Sequence, residues 1–362
     1  LLLQDYSMQS PMIFDAAGNF YMGTGFGHQG IAKFNPDGSI NDFDFITTGK
    51  TGISGIEIYG TDIYLSYEPG FSEHIVLKFP LATGGVYDGS QDFITGLNDP
   101  VDIAADAAGN IFVLEEDNDR VLKFGPTGGV YDGSQDFITG LERPKSMAID
   151  KDAGQLYIGD DGNSNAFVSK FDLASGPVGF NGGTHKFYTD NISASNMAPA
   201  DLFVDDVNKV LYVVDSRKDK VLKITLEEPS SYDRTQDFIT GFRTPFSMTR
   251  DSNGKFYVLD ITYSKVFKFD GPTNYDHSID VEYIDYINRV SRFGINNDNS
   301  FYFSNASNPT RLDEYDVDGL VKKIIHDGDL LSDNVTSLWP YGIAFKDDFA
   351  YIIHVKSGVG GV

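Results

Sequence analysis

The segment Thr83-Gly-Gly-Val-Tyr-Asp-Gly-Ser-Gln-Asp-Phe-Ile-Thr-Gly-Leu97 occurs a second time, unchanged, at Thr127–Leu141, 44 positions further along the chain. A third, altered copy reads Ser231-Tyr-Asp-Arg-Thr-Gln-Asp-Phe-Ile-Thr-Gly-Phe242. Identity at a fixed offset indicates internal duplication. A period in the forties is typical of repeat architectures, in which each repeat forms one small supersecondary unit.

The repeat that opens at Pro100 shows what one such unit contains. Short apolar and β-branched runs alternate with turns rich in Asp, Gly and Asn, as expected for strands joined by tight connections. The predicted strands are Val101–Ala105, Ile111–Leu114, Arg120–Phe124 and Gln135–Thr139. Four short strands with turns between them are the content of one propeller blade.

Eight copies of this unit can be traced, and the last one lacks a fourth strand. The segment Leu1–Ser7 precedes the first repeat at the place where the other repeats have their fourth strand. We therefore expect Leu1–Ser7 to complete the blade that contains Pro340–Ile353, which would remove open sheet edges. The predicted fold is all-β: a single domain, residues 1–362, forming a closed β-propeller of four-stranded antiparallel blades. Eight blades are favoured, with seven or six as alternatives.

The repeats share the pattern Pro-x-x-Ile/Met-Ala-x-Asp-x-x-Gly-x-Leu/Phe-Tyr-Val-x-Asp, followed by Arg/Lys-Val-x-Lys-Phe. This pattern resembles the NHL-repeat family of β-propellers, whose members most often have six blades. Its clearest copies lie at Pro100–Phe124, Pro144–Phe171, Pro199–Ile224 and Pro245–Phe269. The resemblance implies a propeller but leaves function open, because such folds include lyases, lactonases, sensors and binding platforms.

Composition excludes several classes of partner and chemistry. The formal net charge is -25, with 43 Asp against 10 Glu, which argues against binding to nucleic acid or to anionic membrane surfaces. The chain contains no Cys, so disulfides, thiolate metal sites and Cys nucleophiles are excluded. No apolar run approaches the roughly 18 residues of a membrane span, and no membrane insertion is expected.

Carboxylates end the second predicted strand in four successive repeats: Glu115, Asp160, Asp215 and Asp260. One hypothesis is that they converge and hold Ca²⁺, which prefers oxygen ligands, centred on Asp160 and its neighbour Asp161. The favoured interpretation is that each carboxylate caps a turn of its own repeat. Calcium is thus a possible cofactor, and it is the minority hypothesis.

Two functions are compatible with these features. The favoured one is a non-catalytic binding or assembly module, secreted or at the cell surface, with a protein or glycan partner or with self-association. The alternative is a metal-dependent lyase or lactonase acting at the channel mouth. Similarity to the amidating lyases of the NHL family implies zinc held by histidines, and His28, His74 and His354 are the candidates. No Gly-x-Ser-x-Gly or P-loop motif is present.

The duplicated segment yields its own structural predictions. Tyr87 and Tyr131 should occupy equivalent links, and Phe93 and Phe137 should be buried between blades. A lysine recurs in the third strand of six repeats, and we expect it to pair with acidic residues of the neighbouring fourth strand. These lysines are Lys33, Lys78, Lys123, Lys170, Lys223 and Lys268.

Overall fold

The computed structural model describes residues 11–24, 30–36, 40–49, 52–67, 74–162, 166–181, 184–189, 197–227, 230–231, 237–251, 254–262, 265–271, 273–274, 282–284, 290–295, 301–305, 308–315, 321–326, 339–346 and 349–355, with side chains only before residue 272. The described residues form an all-β structure. None of the described segments is a helix with the length and apolarity needed to cross a membrane.

The strands are grouped here by the repeat that supplies them. The first two repeats supply β1 (Met12–Phe14), β2 (Phe20–Thr24), β3 (Gly30–Phe34), β4 (Ile40–Thr47), β5 (Ile53–Tyr59), β6 (Asp62–Tyr67), β7 (Ile75–Pro80), β8 (Gly85–Val86) and β9 (Asp92–Thr95). The next two supply β10 (Pro100–Ala105), β11 (Ile111–Glu115), β12 (Arg120–Phe124), β13 (Gly129–Val130), β14 (Asp136–Thr139), β15 (Pro144–Asp150), β16 (Gln155–Asp160), β17 (Phe167–Asp172), a 3₁₀ turn (Leu173–Ser175), β18 (Val178–Gly179) and β19 (Lys186–Thr189).

The remaining repeats supply sixteen further described strands. The fifth and sixth supply β20 (Pro199–Asp205), β21 (Val210–Asp215), β22 (Lys220–Thr225), β23 (Ser230–Ser231), β24 (Asp237–Thr240), β25 (Pro245–Arg250), β26 (Phe256–Asp260), β27 (Lys265–Phe269), β28 (Thr273–Asn274) and β29 (Glu282–Ile284). Two further sheets contain β30 (Val290–Ile295), β31 (Phe301–Asn305), β32 (Asn308–Tyr315) and β33 (Val321–His326), and then β34 (Trp339–Lys346) and β35 (Phe349–Val355).

In the first and third blades, the hairpin between the first two strands is formed by an Asp-x-x-Gly-Asn turn. In the third blade, the Asp106 carboxylate accepts the backbone N–H groups of Ala108 and Asn110, both at 2.9 Å. Gly109 has a φ of 80°, a left-handed conformation that glycine adopts without steric cost. The first blade repeats this arrangement around Asp15. In these two blades, the turn chemistry therefore defines where the strand pair reverses direction.

The number of blades in the ring differs from the sequence prediction. The innermost strands β1, β5, β10, β15, β20 and β25 contact one another in that order, and β25 contacts β1 directly. The ring therefore has six blades, formed by the first six repeats, and the prediction of eight is wrong. The sheet of β30–β33 and the sheet of β34–β35 contact each other through β30 and β34 and do not enter between the sixth blade and the first.

Side-chain packing closes the ring. Phe14 of the first blade and Tyr257 of the sixth lie 4.9 Å apart between ring centroids, and Met12, Phe20 and Leu259 belong to the same buried cluster. Among the described residues, no strand of the first blade is hydrogen-bonded to a strand of the sixth. The predicted closure by Leu1–Ser7 concerns a segment outside the described residues. The single-domain assignment for 1–362 stays a prediction.

Each of the first five blades carries a fifth strand that the sequence did not predict. The link before the fourth strand of a repeat returns to the preceding blade and pairs in parallel with its outer strand. In the duplicated segment, Gly85 and Val86 pair with Ile46 and Thr47, and Gly129 and Val130 pair with Ile94 and Thr95. We call each of the short parallel strands β8, β13, β18, β23 and β28 a latch between two blades, and each copy of the duplicated segment contains one of them. Tyr87 and Tyr131 follow the latch at equivalent positions, as predicted.

The lysine of the third strand packs against aromatic rings. Lys123 Nζ lies 5.2 Å from the ring centroids of both Phe112 and Phe137, a distance at which cation–π attraction acts. Lys78 lies over Tyr64 and Phe93 in the same way. The acid partners predicted for these lysines bind other residues: Asp136 pairs with Arg120 at 3.0 Å and Asp237 pairs with Lys220 at 2.7 Å.

Candidate functional site at the channel mouth

A β-bulge occurs at the start of the innermost strand in blades two to six. In the fourth blade, Pro144 is opposite Asp160 and Ser146 is opposite Gly159, so that Lys145 is the extra residue. A bulge redirects the side chain that it inserts and is common beside functional sites. The extra residues of the five blades are Ser54, Val101, Lys145, Ala200 and Phe246.

All five bulge residues line one cavity, which we call the funnel. It has a volume of about 230 Å³, and its walls include residues of all six blades. Pro11 comes from the first blade, and Asp102 and Asp201 come from the third and fifth. Because all six blades contribute to its wall, five of them through the innermost strand, the funnel lies where the central channel opens. We identify this concave, partly polar region as the candidate site.

Hydrogen bonds between neighbouring blades hold the funnel wall in place. The position after each bulge is Asp or Ser in blades three to six: Asp102, Ser146, Asp201 and Ser247. Asp102 accepts the N–H of Met147 of the next blade at 2.7 Å. Ser146 donates its hydroxyl to the carbonyl of Pro199 at 3.0 Å. Asp201 accepts Met248 N–H at 2.8 Å and the Ser247 hydroxyl at 2.9 Å.

Two carboxylates of this wall are held away from bulk water. Burial raises the pKa of Asp201 to about 6. Burial also raises the pKa of Asp102 well above its usual range, and the charge of Asp201 raises it further. Backbone N–H donors oppose both shifts. Burial thus favours the neutral forms of both carboxyls, and a positive charge placed against this wall would favour their ionised forms.

The rim of the funnel carries charges that are already paired. Glu116 contacts Lys145, and Arg143 lies 3.8 Å from the same carboxylate. Asp161 forms an ion pair with Arg217 at 3.2 Å. Glu116 and Asp161 each follow the carboxylate that ends the second strand, which places them beside the bulge residues. The rim is therefore a set of opposite charges joining neighbouring blades.

The four carboxylates predicted from the sequence are fully buried and cap turns of their own blades. Glu115 accepts the N–H of Asn98 at 2.6 Å, and Asp160 accepts that of Glu142 at 3.0 Å. The same bond links Asp215 to Ala198 at 3.0 Å and Asp260 to Arg243 at 2.7 Å. Each donor lies just before the proline that opens the innermost strand. This geometry matches the capping interpretation.

The structure does not gather these carboxylates around one point. Within the part of the chain that the structure describes, no three His, Asp or Glu side chains are arranged to hold a metal ion. Asp161 binds Arg217, and Glu115 binds Arg120 at 2.6 Å. Calcium at Glu115, Asp160, Asp161, Asp215 and Asp260 stays an untested prediction.

Chelation decides between capping and calcium. If capping alone holds these loops, the melting curve measured by calorimetry should be the same with and without EDTA. A bound cation would instead stabilise the native state by RT ln(1 + [L]/Kd), so chelation would lower Tm. A lower Tm that returns on addition of excess CaCl₂ would contradict the capping interpretation.

Asp160 should make stability depend on pH. Burial raises its pKa from 3.8 to about 7, so the native state binds a proton more tightly than the unfolded state. By linkage, this residue's contribution to the free energy of unfolding falls as pH rises from about 4 to about 7. Asp160→Asn should remove that fall. The free energy of unfolding of the variant minus that of wild type should therefore be on the order of 2–4 kcal/mol larger at pH 8 than at pH 4.

Urea unfolding of Asp160→Asn at several pH values measures this effect. Asp132→Asn is the matched control, because Asp132 is exposed and hydrogen bonds from Ser134 lower its pKa. Asp132 therefore stays ionised in both the native and the unfolded state from pH 6 to pH 8, and its substitution should have the same effect throughout that range. Parallel pH profiles for Asp160→Asn and wild type would contradict the assignment.

The histidines proposed for zinc can be placed only in part. The Nδ1 atom of His74 accepts the backbone N–H of Asp99, which makes this histidine part of the contact between blades two and three. His28 lies outside the described residues, and His354 lies on β35, where only the backbone is described. The zinc hypothesis stays untested.

Two solved structures with a TM-score of 0.51 support the propeller fold. A putative oxidoreductase (glucose dehydrogenase) from Thermus thermophilus is 17% identical with a TM-score of 0.51, covering 68% of this chain and 89% of that protein. The PQQ domain of a pyranose dehydrogenase from Coprinopsis cinerea is 12% identical with a TM-score of 0.51, covering 73% and 92%. A chain of a nidogen/laminin complex is 15% identical with a TM-score of 0.49, covering 76% and 96%.

These likenesses concern the fold alone, because the identities are low. No family model matches the chain, and no curated protein matches it. The resemblance to NHL repeats therefore stays a prediction at the level of family, while the propeller architecture is shown.

Proposed function

We propose that this chain is a non-catalytic binding or assembly module that holds a protein or glycan partner over the channel mouth. One observation supports this most strongly: the five bulge residues all differ, whereas in blades three to six the proline before them and the Asp or Ser after them recur. A repeated scaffold with variable side chains on a concave face is typical of recognition surfaces on repeat proteins. The acidic composition is compatible with an extracellular or cell-surface setting.

The arrangement of charges also favours binding over catalysis. Catalysis by a nucleophile requires that it lie beside a base that activates it. At the rim, Lys145 and Glu116 bind each other, and Asp161 binds Arg217. The capping carboxylates accept backbone N–H groups. A metal-dependent lyase or lactonase at the mouth is the alternative, and it would use the buried carboxylates Asp102 and Asp201.

Site-specific photocrosslinking tests the proposed role. Benzoylphenylalanine in place of Phe246 presents the crosslinker at the mouth. The control places it at Val207, a residue 90% exposed in the turn after β20, at the opposite end of the innermost strand. With extracellular material from the source cells, we expect a discrete adduct from position 246 and none from 207. Equal adducts from both positions, or none, would contradict the proposal.

The enzyme alternative predicts a different result. Wild type should then hydrolyse a panel of γ- and δ-lactones, lose this activity in EDTA, and lose it in Asp102→Asn while remaining folded. The binding proposal predicts no turnover above the uncatalysed rate in any of these samples.

A further inference from the structure

The funnel contains two carboxylates without a compensating positive charge. The Asp102 oxygens accept Ile103 N–H at 2.8 Å and Met147 N–H at 2.7 Å. The Asp201 oxygens accept Leu202 N–H at 2.8 Å, Met248 N–H and the Ser247 hydroxyl. Within the described ranges, no Lys or Arg forms an ion pair with either one. This contrasts with the rim, where every cavity-lining carboxylate has a cationic partner.

The size of the funnel limits what can enter it. Its volume of about 230 Å³ is below the roughly 300–1,000 Å³ typical of pockets for drug-sized ligands. It therefore suits one side chain or a small molecule. Phe246, Val101 and Pro199 line the same cavity and provide apolar surface for an alkyl stem. An aromatic ring near a cation adds further attraction.

We propose that the funnel binds a primary ammonium group on an alkyl chain, with the ammonium at the carboxylates of Asp102 and Asp201 and the stem along Phe246. This inference rests on the proposed binding role of the channel mouth and names the chemistry recognised there. A lysine side chain of a protein partner and a free alkylamine share this chemistry. The ammonium donates three hydrogen bonds from a compact centre, which matches carboxylate oxygens that retain unused lone pairs.

A metal ion fits the same wall less well. Calcium takes six to eight oxygen ligands, and the described residues contain no group of three metal-ligating side chains. The raised pKa values of Asp102 and Asp201 agree with a site that lacks a cation, since a bound ammonium would favour their ionised forms.

Isothermal titration calorimetry at pH 7.5 and low salt tests the proposal. The probes are n-butylamine, Nα-acetyl-lysine methylamide and, as the neutral counterpart, Nα-acetyl-norleucine methylamide. We expect both amines to bind and the norleucine compound to bind at least tenfold more weakly. Asp201→Asn and Asp102→Asn should each weaken amine binding at least tenfold, and Asp132→Asn, in the exposed loop between β13 and β14, should leave it unchanged.

A gain-of-charge variant adds a second measurement, a rise in Tm, to the loss of amine binding. Ala200 is the bulge residue of the fifth blade and lines the funnel, at the position that Lys145 occupies in the fourth. Ala200→Lys should place an ammonium near Asp201, raise Tm and abolish amine binding. Melting curves of all variants show whether each remains folded.

The outcomes separate the sources of the ligand and the two proposals. A tenfold preference for the lysine compound over n-butylamine indicates a protein partner, and equal affinity indicates a free amine. No amine binding by folded wild type, equal binding of norleucine, or binding of CaCl₂ in place of amines overturns the ammonium site. The photocrosslink from position 246 does not depend on charge, so it can succeed when the ammonium site fails.

Discussion

Phe137→Ala should lower the free energy of unfolding by about 3–5 kcal/mol, as is usual for truncating a packed phenylalanine. Phe137 is 4% exposed, and its ring meets that of Phe112 edge-on at 5.4 Å between centroids. The substitution removes this contact, leaves a cavity and deprives Lys123 of one of its two rings. Urea unfolding monitored by circular dichroism measures the loss.

Val130→Ala is the control for this prediction, because Val130 belongs to the same duplicated segment and is 67% exposed. Its truncation should change stability by no more than about 0.5 kcal/mol, as for most surface substitutions. A loss for Phe137→Ala as small as that for Val130→Ala would contradict the assigned packing. Phe93 occupies the equivalent position one blade earlier and is only partly buried, so its truncation should cost less than that of Phe137.

Gly128→Ala should destabilise the latch between the second and third blades. Gly128 has a φ of +66°, and a Cβ atom built on it would lie 2.2 Å from the carbonyl oxygen of Phe93. The left-handed conformation alone costs about 1–2 kcal/mol for a residue other than glycine. The backbone clash requires the latch to move away from β9, and we expect a total loss of about 3–5 kcal/mol, beyond strain alone.

Gly140→Ala separates the clash from the strain. Gly140 has a similar φ of +75°, with nothing within 4 Å of a Cβ atom, so its substitution should cost only the conformational part. Gly84, the twin of Gly128, would meet the carbonyl oxygen of Phe45 at 1.9 Å and should behave like Gly128. Equal stability of Gly128→Ala and Gly140→Ala would contradict the close approach of Gly128 to the Phe93 carbonyl oxygen.

Local features of the propeller were predictable because they depend on residues near one another in the chain. The Asp106 turn needs a short carboxylate and a glycine three residues later. The capping role of Asp160 also depends on nearby residues, since Asp160 pairs with Pro144 in the first hairpin of its blade and its carboxylate accepts the N–H of Glu142. Tertiary packing could alter neither arrangement without breaking its hydrogen bonds.

The funnel could not be predicted in the same way. Lys145 and Phe246 reach it because a bulge inserts one extra residue at each position, and a bulge leaves no distinct mark in an alternating apolar pattern. Asp102 and Asp201 recur after those bulges, a signal that an internal alignment of the repeats could have revealed. Their shared cavity depends on blades that are about a hundred residues apart in the chain.

By itself, the sequence determined the all-β class, the blade as the repeating unit and the turn chemistry, because each is specified within some 45 residues. Tertiary structure decided how many repeats enter the ring. Counting copies gives eight, but closure of the ring depends on which blade packs its side chains against the first. Tyr257 of the sixth blade packs on Phe14 of the first. It also decided the role of the duplicated segment, since the latch pairs with a strand of the preceding blade that local sequence does not specify.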